Sequence, residues 1–340
     1  MSWNAYIDRL EGTAYLDSVQ AGLDWCDLGK RVRRDDRVFI KPNLTFPVFR
    51  KGVMTNPECV EALVIALKDY TDRITVGEAD SGGYNRFDMD EVMARTGLKD
   101  LEKRYGIELV NLSRGPTERR SFYHGRRQID LDLPTLLLHE TALMFSAGVP
   151  KIHMNTLVSM TVKNLWGCIP QPPNRLRLHP HLPEVLYEMT QAFPPAMGMI
   201  DGRYGLNRSG PMEGDPVELN WLLMGDDLYG LDALCCRLMG IDPSRPYYFR
   251  RALRAGARIP TPGEARMNQD YRAFEGPRFY LRRRWTDYPG ILCFHSELLS
   301  YLGYFSPLAD PLHKLLYVFR KPFYDYDDPN RTEHDEQRND

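Results

Sequence analysis

Residues 37–77, RVFIKPNLTFPVFRKGVMTNPECVEALVIALKDYTDRITVG, contain the pattern that decides the fold. Residues 37–41 form a short run of residue types that favour strands. Asn56 followed by Pro57 is typical of a helix N-cap and first turn, and the apolar residues after them recur at helical spacing. Residues 73–77 then predict a second strand. A strand, a single helix and another strand indicate a βαβ unit with parallel strands.

The same alternation continues outward along the chain. Further elements are predicted as helices at 89–105, 183–193 and 229–239 and as strands at 107–112, 197–201 and 217–224. We therefore predict an α/β fold with a mostly parallel sheet built from βαβ units. The active site is expected at the carboxyl ends of the strands, where open parallel sheets bind their ligands.

Composition along the chain predicts three parts. Residues 1–260 form the α/β core, which is expected to divide into lobes of about 1–135 and 136–260. Residues 261–324 are rich in aromatic and basic residues and are predicted to be a C-terminal extension packed on the core. Residues 325–340 are too polar to pack and are predicted to be a disordered tail.

The bulk composition is that of an ordinary globular protein. Hydrophobic residues make up 43% and charged residues 26% of the 340 residues, and the formal net charge is −2. Because proteins that bind nucleic acid usually have a clear basic excess, no nucleic-acid partner is predicted. The sequence shows no secretory signal and no apolar run approaching the ~20 residues of a transmembrane helix. Scattered thiols fit a reducing compartment, so we expect a cytoplasmic protein.

Polar residues follow three of the predicted strands. Lys41 and Asn43 come after the first strand, Glu78 and Asp80 after the second, and Asp201 ends the strand at 197–201. Since the carboxyl ends of parallel strands meet at one edge of a sheet, these residues are candidates for a shared site. The alternative is that each one is a helix cap or a turn residue, because turns favour the same residue types.

The stretch 151–181, KIHMNTLVSMTVKNLWGCIPQPPNRLRLHPH, concentrates side chains that can do chemistry. These side chains are Lys151, His153, Lys163, His179 and His181. Two imidazoles can bind a metal or act as general acid and base near neutral pH. A desolvated lysine can become a nucleophile, a base or a covalent anchor. The alternatives are loop histidines exposed in a proline-rich turn, and an ion pair from Lys163 to Glu78, Asp80 or Asp201.

Two further features of the sequence allow two interpretations each. Gly210 lies in the loop 205–214, GLNRSGPMEG, whose backbone amides could cradle an anion. The alternative, a plain connection that needs a positive φ angle, is favoured. Cys168 is either a nucleophile or a packing residue, and packing is favoured because no adjacent base is assigned.

Several of these motifs together resemble the DUF362 family, over roughly residues 36–258. They are KPN at 41–43, GEAD at 77–80, PKIH at 150–153, SMTVKNLWG at 159–167, IDG at 200–202, SGP at 209–211 and the segment LDALCCRLMGIDP. The family is broadly uncharacterised, so the resemblance implies a fold more than a reaction. Many members carry a ferredoxin-type cluster domain. This chain has no ferredoxin-type cluster motif, because its six cysteines form no CxxC pair.

The order His153, Lys163, His179 is also similar to the lactate racemase catalytic domain. In that family such residues surround a nickel-pincer nucleotide. The resemblance implies that Lys163 is a covalent anchor, His179 a metal ligand and His153 an acid or base. The racemase has a glycine-rich run before its lysine, whereas this chain has LVSMTV at 157–162, so the identity of the cofactor does not transfer.

The leading hypothesis is an enzyme that acts on a small anionic substrate, a carboxylate or a phosphate. Lys/His acid–base or metal-assisted chemistry is expected, with isomerisation or epimerisation as the leading subclass. The candidate catalytic residues are His153, Lys163 and His179. The candidate substrate-binding residues are Lys41, Asn43, Lys151, Asn164 and Gly210. The candidate ligands of a divalent metal (nickel, iron or zinc) or of a nickel-pincer-like nucleotide are Glu78, Asp80, His179, His181 and Asp201.

Two other classes of function stay open from the sequence. One is a metal-binding redox protein of the DUF362 type. The other is a non-enzymatic protein that binds a ligand or makes weak contact with a membrane surface through 312–323, LHKLLYVFRKPF. A helix packed on the body of the protein is the plainer interpretation of that segment. The basic residues 282–284 and nearby aromatic rings could equally form a lid over the ligand cleft.

Overall fold

The structure is a computed structural model, and it describes residues 3–10, 12, 14–82 and 87–319, except the side chains of residues 316, 317 and 319. Its strands are, in chain order, β1 (Trp3–Arg9), β2 (Arg37–Pro42), β3 (Arg73–Glu78), β4 (Glu108–Asn111), β5 (Thr117–His124), β6 (Arg127–Pro134), β7 (Leu143–Gly148), β8 (Lys151–His153), β9 (Leu157–Ser159), β10 (Ala196–Asn207), β11 (Asp215–Gly225) and β12 (Ala265–Met267).

The helices of the described residues alternate with these strands through most of the chain. They are α1 (Leu16–Trp25), α2 (Pro57–Leu67), α3 (Met89–Arg95), α4 (Lys99–Tyr105), α5 (Thr161–Asn164), α6 (Pro172–Leu178), α7 (Leu182–Ala192), α8 (Leu228–Leu238), α9 (Tyr247–Arg254), α10 (Tyr288–His295), α11 (Glu297–Tyr304) and α12 (Ala309–Phe319).

One large sheet organises the fold, with the strand order β12-β1-β11-β10-β7-β2-β3-β4. Strands β10, β7, β2, β3 and β4 pair in parallel, whereas β11 pairs antiparallel with both β10 and β1. Every residue of β7 is buried, as expected for a parallel strand covered on both faces. The predicted α/β fold with a mostly parallel sheet is confirmed.

The predicted βαβ unit is the segment β2–α2–β3. Asn56 caps α2 with its side chain, which accepts a hydrogen bond from the backbone N–H of Glu58 at 3.1 Å. The helix predicted at 89–105 is two helices, because the chain turns between α3 and α4 at Gly97, whose φ angle is +79°. A left-handed residue of this kind ends a helix and is tolerated best by glycine.

The sheet draws strands from both halves of the core. Strands β2 to β4 come from the first predicted lobe and β7 to β11 from the second, so the division into lobes stays a prediction. Strand β12, from the predicted extension, pairs in parallel with β1. The predicted tail lies outside the described residues. Within the described ranges, no helix combines the length and the apolar character needed to cross a bilayer.

The carboxyl ends of β2, β3 and β7 meet at one edge of the sheet, and the chain from 149 to 181 crosses over this edge. The extension packs against the same region. Ser300 in α11 donates a hydrogen bond to the carbonyl of Leu176 in α6 at 3.1 Å, and the guanidinium of Arg177 lies 4.6 Å from the centre of the Phe305 ring. The extension therefore covers the segment that crosses the strand ends.

Candidate functional site

A cavity of about 260 Å³ lies at this edge, between the strand ends, the crossing segment and the extension. Most of the residues that the sequence singled out line it. They are Lys41, Asn43, Glu78, Lys151, His153, Lys163, Asn164, His179 and Gly210. The predicted location of the site is therefore a real concavity, and its chemistry depends on how each side chain is held.

Lys41 and Glu78 form a buried ion pair at the strand ends of β2 and β3. The Lys41 ammonium also donates to the carbonyl of Pro42 at 2.8 Å and contacts Asn164 Oδ1 at 3.3 Å. Burial raises the pKa of the Glu78 carboxyl, and the charge of Lys41 opposes that shift. A Cβ atom at Gly167 would overlap Glu78 Oε1, so only glycine fits there. The charge of Lys41 is thus already compensated.

Two asparagine amides tie the strand ends together. Asn164 Nδ2 donates to the carbonyl of Lys41 at 2.9 Å and to Ser146 Oγ at 3.1 Å. Asn43 Nδ2 donates to the carbonyl of Val53 at 2.7 Å. Both side chains line the cavity, but their amide N–H groups already donate to the protein's own backbone and to Ser146. They therefore hold the walls of the cavity together, besides being candidate contacts for a substrate.

The short helix α5, which carries Lys163, is held by Asp232 from α8. Asp232 Oδ1 accepts from the backbone N–H of Thr161 at 2.8 Å and from its hydroxyl at 2.6 Å, and Oδ2 accepts from the N–H of Val162 at 3.0 Å. These N–H groups are the unpaired donors of a helix N-terminus, which a capping carboxylate satisfies. Burial raises the pKa of Asp232 to about 7.

Lys163 is a cation of the cavity whose ammonium has no partner among the residues that the structure describes. Its side chain is 8% exposed, and its ammonium has no acceptor and no ion pair among the described residues. Burial, followed by the nearby charge of Arg175, lowers the pKa of Lys163 to about 8. The ion pair to Glu78, Asp80 or Asp201 that the sequence left open is not formed.

Two more cations lie close to it without a carboxylate of their own. Lys151 donates to the carbonyl of Val53 at 2.9 Å, and burial together with the charges of Lys163 and Lys41 lowers its pKa to about 7. Arg175, in α6, donates to the backbone carbonyl of Asp80, and its Nε is buried with no hydrogen-bond partner in the described part of the chain. Burial lowers the pKa of Arg175.

The two histidines of the cavity are held in opposite tautomers. His179 Nδ1 lies 2.7 Å from the carbonyl of Arg175, which can only accept, so Nδ1 carries the proton and Nε2 keeps a lone pair. His153 Nδ1 accepts from the N–H of Asn155 at 3.1 Å, so the neutral ring carries its proton on Nε2. Burial lowers the pKa of His179 to about 3 and that of His153 well below its ordinary value.

Aromatic rings surround His179. Its ring stacks on Phe294 of α10 with centroids 4.1 Å apart, and it meets Trp166 edge-on at 5.0 Å. Phe294 in turn stacks on Tyr304. Phe294 covers one face of the imidazole and Trp166 packs beside it, and this shielding from water explains why burial is the first cause of its low pKa.

Two predicted carboxylates do not reach the cavity. Asp80 accepts from the N–H of Met89 and from Asn111 Nδ2, each at 2.8 Å, and therefore positions the start of α3. Asp201 accepts hydrogen bonds from the hydroxyl of Tyr15 and the N–H of Asn56, each at 2.9 Å, and does not line the cavity.

His181 lies outside the cavity as well, with Nε2 2.6 Å from Glu297 and Nδ1 3.2 Å from His124 Nδ1. The predicted metal ligands are therefore not assembled in one place. Across the described residues, no three His, Cys, Asp or Glu side chains gather into a group that could hold a metal ion.

The glycine loop serves as a connection. The Gly210 N–H donates to the carbonyl of Glu213 at 2.5 Å, so this amide is not free to bind an anion. The φ angle of Gly210 is +56°, and a Cβ atom there would overlap the carbonyl of Ile152. The prediction that the loop needs a positive φ is confirmed. Cys168 is fully buried and burial raises its pKa to about 12, which fits a packing residue.

The extension supplies one wall of the cavity. Arg284 forms an ion pair with Glu213, and Asp287 accepts from the N–H of Arg284 at 2.9 Å. All three line the cavity together with Phe294. The basic run at 282–284 was the signal that pointed to a lid, whereas Arg175 and Asp232 sat inside ordinary helix patterns and gave none.

The sequence of this chain is similar to those of known proteins. Residues 38–237 match the family described as Domain of unknown function (DUF362). A thylakoid-associated protein of Synechocystis is 27% identical over 232 residues, which are 64% of this chain and 67% of that protein. A crystal structure of a protein from Thermotoga maritima aligns with a TM-score of 0.36 and 12% identity, covering 72% of this chain and 59% of the other, less than two thirds of its length.

Proposed function

This chain belongs to the DUF362 family, whose function is unknown. From that premise we propose that the cavity is the active site of an enzyme that binds a small carboxylate or phosphate compound. The enzyme removes a proton from this substrate and returns one to it. The observation that carries the proposal is Lys163. A buried ammonium with no acceptor among the described residues is costly, and an anionic ligand offsets that cost.

The charges around Lys163 point to the same class of ligand. The carboxylates that line the cavity already have cationic partners, since Glu78 pairs with Lys41, and Glu213 and Asp287 share Arg284. Lys151, Lys163 and Arg175 are left without a carboxylate in the described part of the chain. Arginine and lysine side chains in a dry cavity favour carboxylate and phosphate groups.

The cavity also holds the groups that proton transfer on that ligand needs. His179 Nε2 can accept a proton, and the Lys163 ammonium, whose pKa is about 8, can return one. Burial lowers the pKa values of both histidines, so the neutral ring of His153 contributes a hydrogen bond from Nε2–H. A base and an acid in one cavity are what an isomerase or epimerase needs to remove and return a proton. Epimerisation next to a carboxylate is therefore the reaction subclass that we favour.

Solvent exchange tests this proposal directly. The protein is incubated in D₂O with a panel of small 2-hydroxy carboxylates and their phosphate-bearing counterparts, and loss of the Cα–H signal is followed by proton NMR. We expect exchange on at least one compound, its loss in His179→Gln, and its retention in the matched control His139→Gln, an exposed residue outside the cavity. Absence of both binding and exchange across the panel contradicts the proposal.

Fewer observations support metal-assisted chemistry than support proton transfer by the side chains alone. The described side chains do not supply three ligands, so a metal would arrive within a cofactor. Lys163 offers an unpaired amine as anchor and His179 Nε2 a lone pair as ligand, and such a group would supply a Lewis acid beside the substrate. Elemental analysis of protein purified without chelator tests this version, and no stoichiometric metal contradicts it.

A second candidate function is weak contact between α12 and a membrane surface. Leu315 and Val318 are 58% and 76% exposed on this helix, and the Synechocystis relative is named for its association with thylakoids. Residues 320–323 of the predicted segment lie outside the described residues. Flotation with anionic vesicles tests the contact, and equal recovery of the wild type and Leu315→Gln/Val318→Gln with the vesicles contradicts it.

A further inference from the structure

We propose that the protein has a second ligand site, a basin that takes the phosphate group of a small molecule. The basin has a volume of about 800 Å³ and lies between the turn at 155–157, the start of α9 and residues 278–283. None of its lining residues lines the cavity described above. The inference therefore does not depend on the proposed function.

Four arginines dominate the basin: Arg245, Arg250, Arg278 and Arg283. All four are exposed, and none forms an ion pair among the described residues. No acidic residue in the described ranges lines the basin. Other exposed arginines of this chain do find carboxylates, as Arg258 does with Glu264. Guanidinium groups gathered without counter-charges favour an anion with several oxygens, for which bidentate contacts are strongest.

The floor of the basin contains an unsatisfied polar side chain. Asn155 is 5% exposed, and its Nδ2 and Oδ1 have no hydrogen-bond partner of good geometry in the described part of the chain, although its side chain lies near the hydroxyl of Tyr247, another lining residue. Buried amides are almost always hydrogen-bonded, so an orphaned one at the floor of a concavity points to a ligand. A phosphate oxygen can accept from Nδ2, and a hydroxyl beside it can donate to Oδ1.

The start of α9 adds to this environment. Pro246 occupies its N-cap position, and no side chain caps the first turn. The first N–H groups of a helix attract anions, and here they open beside Arg245, Arg250 and Tyr247 of the same basin.

The shape and the overall charge favour a small molecule over a nucleic acid. The basin is concave and of the size that small ligands occupy. The chain as a whole carries a net charge of −2, without the basic excess that is usual for nucleic-acid-binding proteins. Tyr280, 53% exposed at the rim, offers a flat ring for the uncharged part of such a ligand.

An occupant of the basin would touch the turn that holds His153. The N–H of Asn155 donates to His153 Nδ1, and Arg283 Nε donates to the carbonyl of Met154 at 2.9 Å. The two sites therefore share one backbone turn, whatever reaction the cavity supports.

Calorimetric titration with inorganic pyrophosphate at constant ionic strength tests the basin. It is done in a Lys163→Met background, so that the main cation of the cavity does not contribute. Arg250→Gln/Arg278→Gln removes two basin guanidiniums. Arg254→Gln/Arg282→Gln is the matched control, because it removes the same charge from exposed arginines that do not line the basin.

We expect pyrophosphate to bind in the Lys163→Met background. Its dissociation constant should rise at least about tenfold in the basin variant and change less than about twofold in the control. Equal weakening of pyrophosphate binding in both double variants would show that binding depends on the general surface charge and not on the basin, and would overturn the proposal. No binding at millimolar pyrophosphate, or unchanged binding in the basin variant, overturns it as well. Circular dichroism melting checks that the Lys163→Met background and the two double variants, whose added changes are all at exposed side chains, remain folded.

Discussion

Asp232 accepts both the backbone N–H and the hydroxyl of Thr161, at 2.8 Å and 2.6 Å, and so fixes the first turn of the helix that carries Lys163. The carboxylate and the turn come from segments 71 residues apart in the chain. A single buried side chain thus positions the unpaired lysine of the cavity.

Replacing that carboxylate is expected to destabilise the protein strongly. Asp232→Ala leaves the N–H groups of Thr161 and Val162 buried without acceptors, at a cost of about 3 kcal/mol in the free energy of unfolding. Asp227→Ala, which removes an ordinary cap of α8, is the matched control and should cost about 1 kcal/mol. Urea denaturation measures both, and equal costs would show that Asp232 is only another cap.

Sulfate binding should weaken as pH rises. The pKa of Lys151 is about 7 and that of Lys163 about 8, so both lose their charge as the pH passes through this range. Sulfate keeps its own charge there, so the change reports on the protein. We expect at least about tenfold weaker binding at about pH 9 than at about pH 6 by calorimetry. The pH dependence should be much smaller in Lys163→Met, and an unchanged dependence would contradict the assignment.

The stability of the unliganded protein should respond to pH in the opposite direction. Lys151 has a pKa of about 7 when folded and about 10.5 when unfolded, so the unfolded state binds more protons between these values. The contribution of Lys151 to the free energy of unfolding therefore rises with pH across this window. Denaturation of Lys151→Met should show a shallower rise than the wild type, and the exposed control Lys99→Met should not. Identical slopes for wild type and Lys151→Met would refute it.

The tautomers of the two cavity histidines can be observed. Long-range ¹H–¹⁵N correlation spectra should show His179 protonated on Nδ1 and His153 on Nε2, because of their contacts to the Arg175 carbonyl and the Asn155 N–H. His179 should stay neutral down to about pH 5, and His153 should not titrate in the ordinary range of histidine, since burial lowers both pKa values. Two identical tautomers would contradict these contacts.

Gly167→Ala should destabilise the protein by about 1–3 kcal/mol, because the new Cβ atom overlaps the Glu78 carboxylate and approaches Lys41 Nζ at 2.9 Å. Gly115→Ala is the matched control, since nothing lies within 4 Å of its Cβ position. Thermal melting compares the two variants. Equal stabilities would mean that the buried ion pair moves aside without cost.

Local patterns of the sequence were enough to predict the class of fold and the place of the site. Strand and helix periodicities depend on residues that are near neighbours in the chain, so residues 37–77 alone predict the unit β2–α2–β3. The N-cap predicted at Asn56 is present in the structure. Parallel strands bring their carboxyl ends to one edge by geometry alone. That rule placed Lys41 and Glu78 together before any contact was known.

Which side chains face one another was decided only by the tertiary structure. Asp201 and Glu78 were both predicted at strand ends, yet Asp201 lies inside β10 and contacts Tyr15 and not the cavity, because β10 continues to Asn207, past the edge where β2 and β3 end. Arg175, Asp232 and Phe294 lie on helices whose patterns are unremarkable, and they join the site through packing of distant segments. Periodicity is a property of neighbours in the chain, whereas a binding site is a property of the order of strands and the crossing of helices over them.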